Sequence, residues 1–399
     1  MKFKIQNVNN VGFPRTGILE TAHGSVSTPT YMPVGTFGPV KLLDADELKT
    51  AGASIVLGNS FHLESTVGSS VIHKLGGISR FTGWNGPTLT DSGGYQVSYM
   101  WRSGTHSLEN GERKHKINSP IEKITDDGAR VRSLITGASY WLTPEKAMEI
   151  QAFLGADIVM AFDQPTFDTD TLDYARTSMR RAHAWILRSL RHWEDLRERA
   201  IVPSWQEFFP IIQGGRHSEL RRESAKFSVD LDTVGLAIAG ESIGIVPAIS
   251  AETLEMVRDI LPTDKPLYAM GLGGGPEGFF EGVLRGVDMF DNTSPTRMGR
   301  CGLAFVSPDS GGTAQNHFRF DITKSRYRED ESPIDSSCAC KTCRTYTKAY
   351  LRHLFKIRDP LGMRLVCYHN VWFMCNLGCL IREAIKHDSF ASLYRSWLR

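Results

Sequence analysis

The first 300 residues contain no cysteine; the seven in the chain all lie between Cys301 and Cys379. A disulfide framework running through the molecule is thereby excluded. An odd, clustered set suits metal binding in a reducing compartment better. Long hydrophobic runs are missing as well: no stretch reaches the ~18–20 apolar residues of a membrane span. The opening Met1-Lys-Phe-Lys-Ile5 is followed by no apolar signal segment, so a cytoplasmic protein without membrane partners is expected. Nor does one charge sign dominate. Lys and Arg number 46 against 44 Asp and Glu, a net charge of +2, so nucleic-acid binding could come only from local clustering. What is present is ordinary globular composition, 41% hydrophobic and 23% charged over 399 residues. A chain of that size can bury a large core without covalent staples.

The core pattern is a series of short apolar runs, each ending in a polar residue or glycine. They are Tyr31–Gly35, Ile55–Asn59, Thr88–Asp91, Asp157–Asp163, Phe209–Gln213, Gly235–Gly240, Leu267–Gly271 and Gly286–Asp291. Such runs suit parallel strands buried on both faces. Helix-like segments separate most of them: Asp44–Ala51, Thr143–Leu154, Leu172–Arg199, Ser218–Phe227, Ala251–Leu261 and Pro276–Leu284. Thr143-Pro144-Glu145 opens the second with a capping residue and a proline at the first helical position. Leu172, Ala175, Met179, Ala182, Ile186 and Leu190 share one face of the third. This alternation predicts an α/β fold, a (β/α)8 barrel; a doubly wound open sheet is the rival. Turn residues Gly12, Pro14, Gly17 and Gly24 predict β-hairpins ahead of the barrel. Tyr99–Ser119 reads either as a mobile excursion on the active face or as a plain surface loop. Lys123–Leu134 reads as two β-like flanks about Gly128.

Barrel active sites lie at the C-terminal strand ends. Here those ends supply Asn59, Asp91, Asp163, Gln213, Gly240, Met270 and Asp291. Carboxylates and an amide suit a flat polar heterocycle, with Tyr95 available to stack on it. Paired carboxylates also suit glycosidic cleavage, one attacking the anomeric carbon and the other moving a proton. Any one aspartate could equally be a helix cap or a salt-bridge partner. Asp91 and Asp291 stand out jointly because each ends a different run, although the pattern does not assign which attacks. Gly271-Leu-Gly-Gly-Gly275 lacks the spacing of a phosphate loop and reads as a tight strand–helix turn.

Cys338-Ala-Cys340-Lys-Thr-Cys343 places three thiols within six residues, the spacing of a closed structural zinc site. Cys367 and His369 are both candidates for the fourth ligand. Between Lys341 and Arg364 lie seven Lys or Arg and one acid, Asp359, which reads as a phosphate-binding surface or a solvated helix face.

The motifs Gly58-Asn-Ser-Phe-His-Leu63, Leu89-Thr-Asp-Ser-Gly-Gly-Tyr-Gln96, Met160-Ala-Phe-Asp163, Ile212-Gln-Gly-Gly215, Gly286-Val-Asp-Met-Phe-Asp291 and Pro295-Thr-Arg297, with the cysteine cluster and a distant His, span nearly the whole chain. Together they resemble the tRNA-guanine transglycosylases. The resemblance implies a zinc-containing TIM barrel over residues 1–325 with N-terminal β elements. A zinc-binding subdomain with C-terminal helices would occupy 326–399. It implies exchange of guanine at the wobble position of tRNA with a G-U-N anticodon for a 7-deazaguanine base, through a covalent enzyme–tRNA intermediate. Asp291 would be the nucleophile and Asp91 the acid/base. Ser92, Asp163, Gln213 and Gly240 would bind the base, Tyr95 would stack on it and Met270 would form the opposite wall. Arg297 and Arg300 would hold the RNA backbone. Cys338, Cys340, Cys343 and His369 would ligate Zn2+, which selects His369 over Cys367.

The family's bacterial pattern is broken at Gln164-Pro165, Glu241, Gly244-Ile245 and Asn292-Thr-Ser294. These positions leave queuine, 7-aminomethyl-7-deazaguanine or a noncognate base as the installed base. A homodimer is expected by resemblance, with a heterodimer open. The competing readings are a non-catalytic tRNA-binding partner subunit and the same exchange on DNA.

Overall fold

The computed structural model describes residues 1–8, 13–103, 105–107, 113–115, 119–133, 136–167, 169–240 and 246–398; for 102, 103, 105–107 and 113–115 it describes the backbone alone. Strands β1 (Lys2–Val8), β2 (Arg15–Thr21) and β3 (Gly24–Thr28) form the expected N-terminal antiparallel hairpins. The barrel begins with β4 (Thr30–Met32), β5 (Val34–Gly35), β6 (Val56–Asn59) and β7 (Thr88–Asp91). After β7 comes an excursion of β8 (Thr105–Ser107), β9 (Arg113–His115), β10 (Ile121–Thr125), β11 (Gly128–Arg132) and β12 (Ser139–Leu142). The barrel resumes with β13 (Ile158–Met160), β14 (Glu207–Phe209), β15 (Ile211–Ile212), β16 (Leu236–Ile238), β17 (Leu267–Ala269) and β18 (Met289–Asp291).

Two prolines explain how the barrel is cut and closed. Pro33 and Pro210 carry no amide hydrogen, so each interrupts its strand's ladder. Before Pro33, β4 pairs with β18; after it, β5 pairs with β6. Before Pro210, β14 pairs with β13; after it, β15 pairs with β16. Two five-stranded parallel sheets therefore share their first and fifth barrel strands, and the eight-stranded ring closes. The proline carbonyls still accept, from Leu57 N at 3.0 Å and Ala237 N at 2.9 Å. Closure decides for the barrel over the open sheet.

The outer helices are α1 (Ala45–Thr50), α2 (Ser60–Thr66), α3 (Ser69–Lys74), α4 (Gly77–Thr82), α5 (Gly94–Ser103), α6 (Pro144–Leu154), α7 (Leu172–Glu198), α8 (Ser218–Asp230), α9 (Pro247–Glu255), α10 (Pro276–Leu284) and α11 (Ser294–Arg300). Asp44 and Glu47 form a reciprocal capping box on α1, and the Thr143 hydroxyl caps α6 at Lys146 N, 3.2 Å away. Along α7, Ala175, Met179, Ala182 and Ile186 are buried as expected, but Leu172 is exposed and Leu190 only partly covered. Helix α9 starts and ends earlier than expected. Pro247 supplies its first turn, and the helix stops at Glu255 with Met256 as its C-cap.

Much of the Tyr99–Ser119 excursion lies outside the described residues; Tyr99–Ser103 belong to α5. The Gly128 hairpin is present, with Leu134 outside the described residues. Its turn is anchored on α7. Trp185 Nε1 and Arg188 Nη1 donate to the Asp126 carbonyl at 2.7 and 3.1 Å, and Arg181 bridges the Asp126 carboxylate (2.7 Å) and the Gln164 side chain (2.8 Å).

The N-terminal sheet plugs the end of the barrel where the strands begin. Leu19 and Val26 join the core formed by Met32, Leu57, Val159 and Tyr268. Buried Asp288 receives Arg15 Nε at 3.1 Å and Nη2 at 2.6 Å, and buried Asp157 meets His23 Nδ1 at 2.9 Å. At the other flank, β19 (Leu303–Phe305) and β20 (Arg319–Asp321) lead to α12 (Lys341–Thr345), α13 (Lys348–Lys356), α14 (Pro360–Lys386) and α15 (Phe390–Leu398). Helix α14 packs on α11, β4 and α1, and one continuous core joins Phe290 and Tyr31 to Val366, Val371 and Met374. Among the described residues no helix is long and apolar enough to cross a membrane.

Candidate active site

The strand ends opposite that plug surround a cavity of about 370 Å³ lined by Asn59, Asp91, Tyr95, Asp163, Met270 and Asp291, among others. The structure thus brings the expected site residues to one place, with Gln213 just behind the wall. Parallel strands all deliver their last side chains to the same rim, which is why residues 200 apart in sequence can meet.

Asp91 ends β7. Its Oδ2 accepts from Asn59 Nδ2, and its Oδ1 from Ser60 N at 3.0 Å. Asn59 is itself held, because its Oδ1 caps α2 at His62 N, 3.0 Å away. Burial pushes the Asp91 carboxyl up to about 8, helped by the nearby charges of Asp291 and Asp163. That shift favours the protonated form of Asp91 near neutral pH.

Asp291 ends β18 and is held differently. Both Tyr268 Oη (2.7 Å) and Gly271 N (2.6 Å) donate to its Oδ1. Among the described residues no hydrogen bond engages Oδ2. Burial raises this carboxyl above its ordinary value, and the two donors offset only part of that rise.

Asp163 lies beyond β13. Gln213 Nε2 donates to its Oδ2 and Ser92 Oγ approaches Oδ1 at 3.5 Å; burial raises its carboxyl to about 7. Gln213 is fully buried: its Oε1 accepts from Thr166 N at 3.4 Å and its backbone N donates to Ser224 Oγ at 2.9 Å. In this arrangement Gln213 orients Asp163 rather than lining the cavity. Gly94 must be glycine, since a Cβ there would run into the Asp163 carbonyl and carboxylate. Gly240 stands at φ +147° on the cavity wall, backed by the Arg221 guanidinium.

Arg297 is exposed on α11, 3.3 Å from Ser294 Oγ, and Arg300 is half-buried at the helix end. Of the unexpected residues, Pro165 lines the cavity, while Glu241 and Ile245 lie outside the described residues. Asn292 knits the rim together. Its Nδ2 donates to the Gly271 carbonyl (2.5 Å), its Oδ1 accepts from Ser294 N (2.7 Å), and its carbonyl accepts from Tyr31 Oη (2.8 Å).

Sequence reasoning missed Tyr268, Arg221 and Tyr31. Strand alternation could have found the first, because Tyr268 is two residues before Met270 and shares its face. Arg221 gave no such signal. It lies fully buried on α8 and pins two strand ends through the carbonyls of Ile212 (3.1 Å) and Ala239 (2.6 Å).

A second centre lies in the C-terminal region. Cys338, Cys340, Cys343 and His369 offer ligand atoms all within 4.8 Å of one another. The three sulfurs stand 3.6, 3.4 and 3.3 Å from His369 Nδ1. Tetrahedral zinc requires S···N separations of about 3.5 Å, so these residues fit that ion. His369 Nε2 faces the Phe305 carbonyl at 2.8 Å, the outer contact that leaves Nδ1 for a metal. Cys367, the alternative ligand, instead donates to the Thr296 carbonyl at 3.2 Å. With all four positions filled by protein the site is structural.

A family model described as Queuine tRNA-ribosyltransferase matches residues 11–399. The queuine tRNA-ribosyltransferase of Caldanaerobacter subterraneus subsp. tengcongensis is 41% identical over 385 residues, covering 96% of this chain and 93% of the relative. That of Geobacillus kaustophilus is 40% identical over 377 residues, covering 94% and 90%. That of Roseiflexus sp. is 39% identical over 390 residues, covering 96% of each. Similarity of this depth along the whole length, joined to the closed barrel and its Cys3His cluster, means that the chain belongs to the queuine tRNA-ribosyltransferase family.

Proposed function

We propose that this chain is a pentosyltransferase that exchanges guanine at the wobble position of G-U-N tRNA for queuine or 7-aminomethyl-7-deazaguanine. The observation that carries the reading is the contrast between Asp91 and Asp291. Asp91 has both carboxyl oxygens held, by Asn59 Nδ2 and Ser60 N, and burial pushes it up to about 8, whereas Asp291 takes both its donors on Oδ1 and among the described residues leaves Oδ2 without a hydrogen bond.

In the first step Asp291 Oδ2 attacks ribose C1′ as the bond to guanine N9 breaks. The oxocarbenium-like transition state is stabilised by that same carboxylate. Asp91 gives its proton to the leaving guanine. In the second step Asp91, now a carboxylate, removes the N9 proton of the incoming base, whose nitrogen attacks C1′ and displaces Asp291. Two displacements retain the ribose configuration, and the strand is never cut. Asp163 and Ser92 read the polar edge of the flipped-out base, Gln213 holds Asp163, Gly240 lets the base approach the wall, and Tyr95 and Met270 enclose its faces. Arg297 and Arg300 neutralise backbone phosphates. Residues 326–399 act as a zinc-stapled subdomain beside the catalytic domain of 1–325, and by family resemblance the working unit is a dimer in the cytoplasm.

The test is incorporation of radiolabelled guanine into G-U-N tRNA, followed by a chase with each 7-deazaguanine base. Wild type should incorporate the label and release it to the preferred base. Asp291→Asn should lose about three orders of magnitude or more in rate. Absence of labelling by wild type would refute the reading, and full activity of Asp291→Asn would refute the nucleophile assignment.

A further inference from the structure

Helix α5 starts at the cavity rim, directly after Gly93, and carries two tyrosines one turn apart. Residues four apart share a helix face, so Tyr95 and Tyr99 are neighbours. Their rings are parallel, with centroids 5.7 Å apart and planes 12° from each other. Both are unusually open for aromatics, Tyr95 at 46% and Tyr99 at 52% exposure. Tyr95 lines the cavity; Tyr99 does not, standing about 6 Å further along the helix axis.

An exposed ring contributes little to folding, so this pair needs another account. Packing a base between the rings would need about 7 Å, two stacking distances of about 3.4 Å, and the observed spacing is shorter. Among the described residues Tyr99 makes no ring contact other than the one with Tyr95, so the ladder ends on the face of Tyr99 turned away from Tyr95. We propose that Tyr99 is a second stacking platform, taking the nucleobase adjacent to the exchanged nucleotide. The inference rests on the reading of the cavity as a site for a base flipped out of an RNA strand. Flipping breaks the stacking on both sides of the target, and a ring at the rim restores it for one neighbour. Aromatic stacking tolerates any base, so Tyr99 would add affinity without adding sequence preference.

The test is a double-mutant cycle. Tyr99→Ala and Tyr99→Phe are assayed for guanine exchange on intact anticodon-stem RNA, and on RNA made abasic at the 5′ or the 3′ neighbour of the target. On intact RNA, Tyr99→Ala should raise the KM for RNA about 5- to 100-fold, and Tyr99→Phe should restore it. The salt dependence should keep its slope, since no phosphate contact is lost. On RNA abasic at the contacted neighbour, wild type and Tyr99→Ala should have the same KM; which abasic position does this identifies the neighbour. The proposal is overturned if Tyr99→Ala raises the KM for free guanine as much as for RNA, which would make Tyr99 only a support for Tyr95. It is equally overturned if the KM for RNA is unchanged, or if the loss persists on both abasic RNAs. Failure of the underlying functional reading would show separately, as wild type that labels no RNA at all.

Discussion

The two ends of the barrel each bury aspartates, and they treat them in opposite ways. Where the strands begin, Asp288 is met by the Arg15 guanidinium and by Leu267 N, and Asp157 by His23 and Thr88 N. Where they end, Asp91, Asp163 and Asp291 are held by an amide, a hydroxyl or a backbone N–H, and none of them forms an ion pair among the described residues. A cation neutralises a buried carboxylate and makes it a structural tie. Neutral donors fix its position but leave its charge and proton available, and neighbouring carboxylates then raise the cost of ionising. The same residue type is a staple at one end and, in the proposed reaction, a reagent at the other.

Breaking the staple should have the largest effect on stability. Arg15→Met leaves Asp288 buried without its cation, and a loss of about 3–5 kcal/mol in chemical denaturation is expected. Exchange activity per folded molecule should stay near wild type, because the site lies at the other end. Lost activity with unchanged stability would contradict the division of labour.

Asp91→Asn sharpens the other half. The folded Asp91 holds a proton up to about pH 8, whereas its ordinary value is 3.8. Between those values the folded state binds more protons than the unfolded one, so this residue makes stability fall as pH rises, and the fall stops above about 8. The window amounts to a few kcal/mol, on the order of 1.4 kcal/mol per unit. Asp91→Asn should flatten that slope when stability is followed across pH 4–9, while abolishing exchange. The asparagine also sets its amide against Asn59 Nδ2, so the slope is the readout rather than stability at any single pH.

The smallest effect is expected from Tyr268→Phe, which removes one of the two donors to Asp291. A hydrogen bond to a charged group contributes about 1.5–3 kcal/mol, so kcat should drop about 10- to 100-fold. Because that donor lowers the Asp291 carboxyl, its loss should also move the acidic limb of the pH–rate profile to higher pH. An unchanged limb would mean that Tyr268 only fills space.

Much of this was legible from short patterns. Eight apolar runs ending in polar residues or glycine announced the barrel, and the Thr143-Pro144 signature marked α6 closely. The start of α9 was missed because its opening turn comes from Pro247, ahead of the periodic stretch. Arg221 was invisible because its partners are the backbone carbonyls of Ile212, Gly215 and Ala239, at and beyond the ends of two strands, and carbonyls carry no sequence signature.

The sequence by itself determined which chemistry was available: carboxylates at strand ends, three clustered thiols, a ring beside a glycine pair. Spacing along the chain did not decide which of these groups meet; the tertiary structure did. Cys367 and His369 are two positions apart and equally close to the cysteine cluster in sequence, yet on α14 they point about 200° apart, one to Thr296 and the other to the three sulfurs. Asp91 and Asp288 are likewise both aspartates at the edge of a strand. Strand direction sends one to the cavity and the other to Arg15, and the local dielectric and nearest partner then set what each can do.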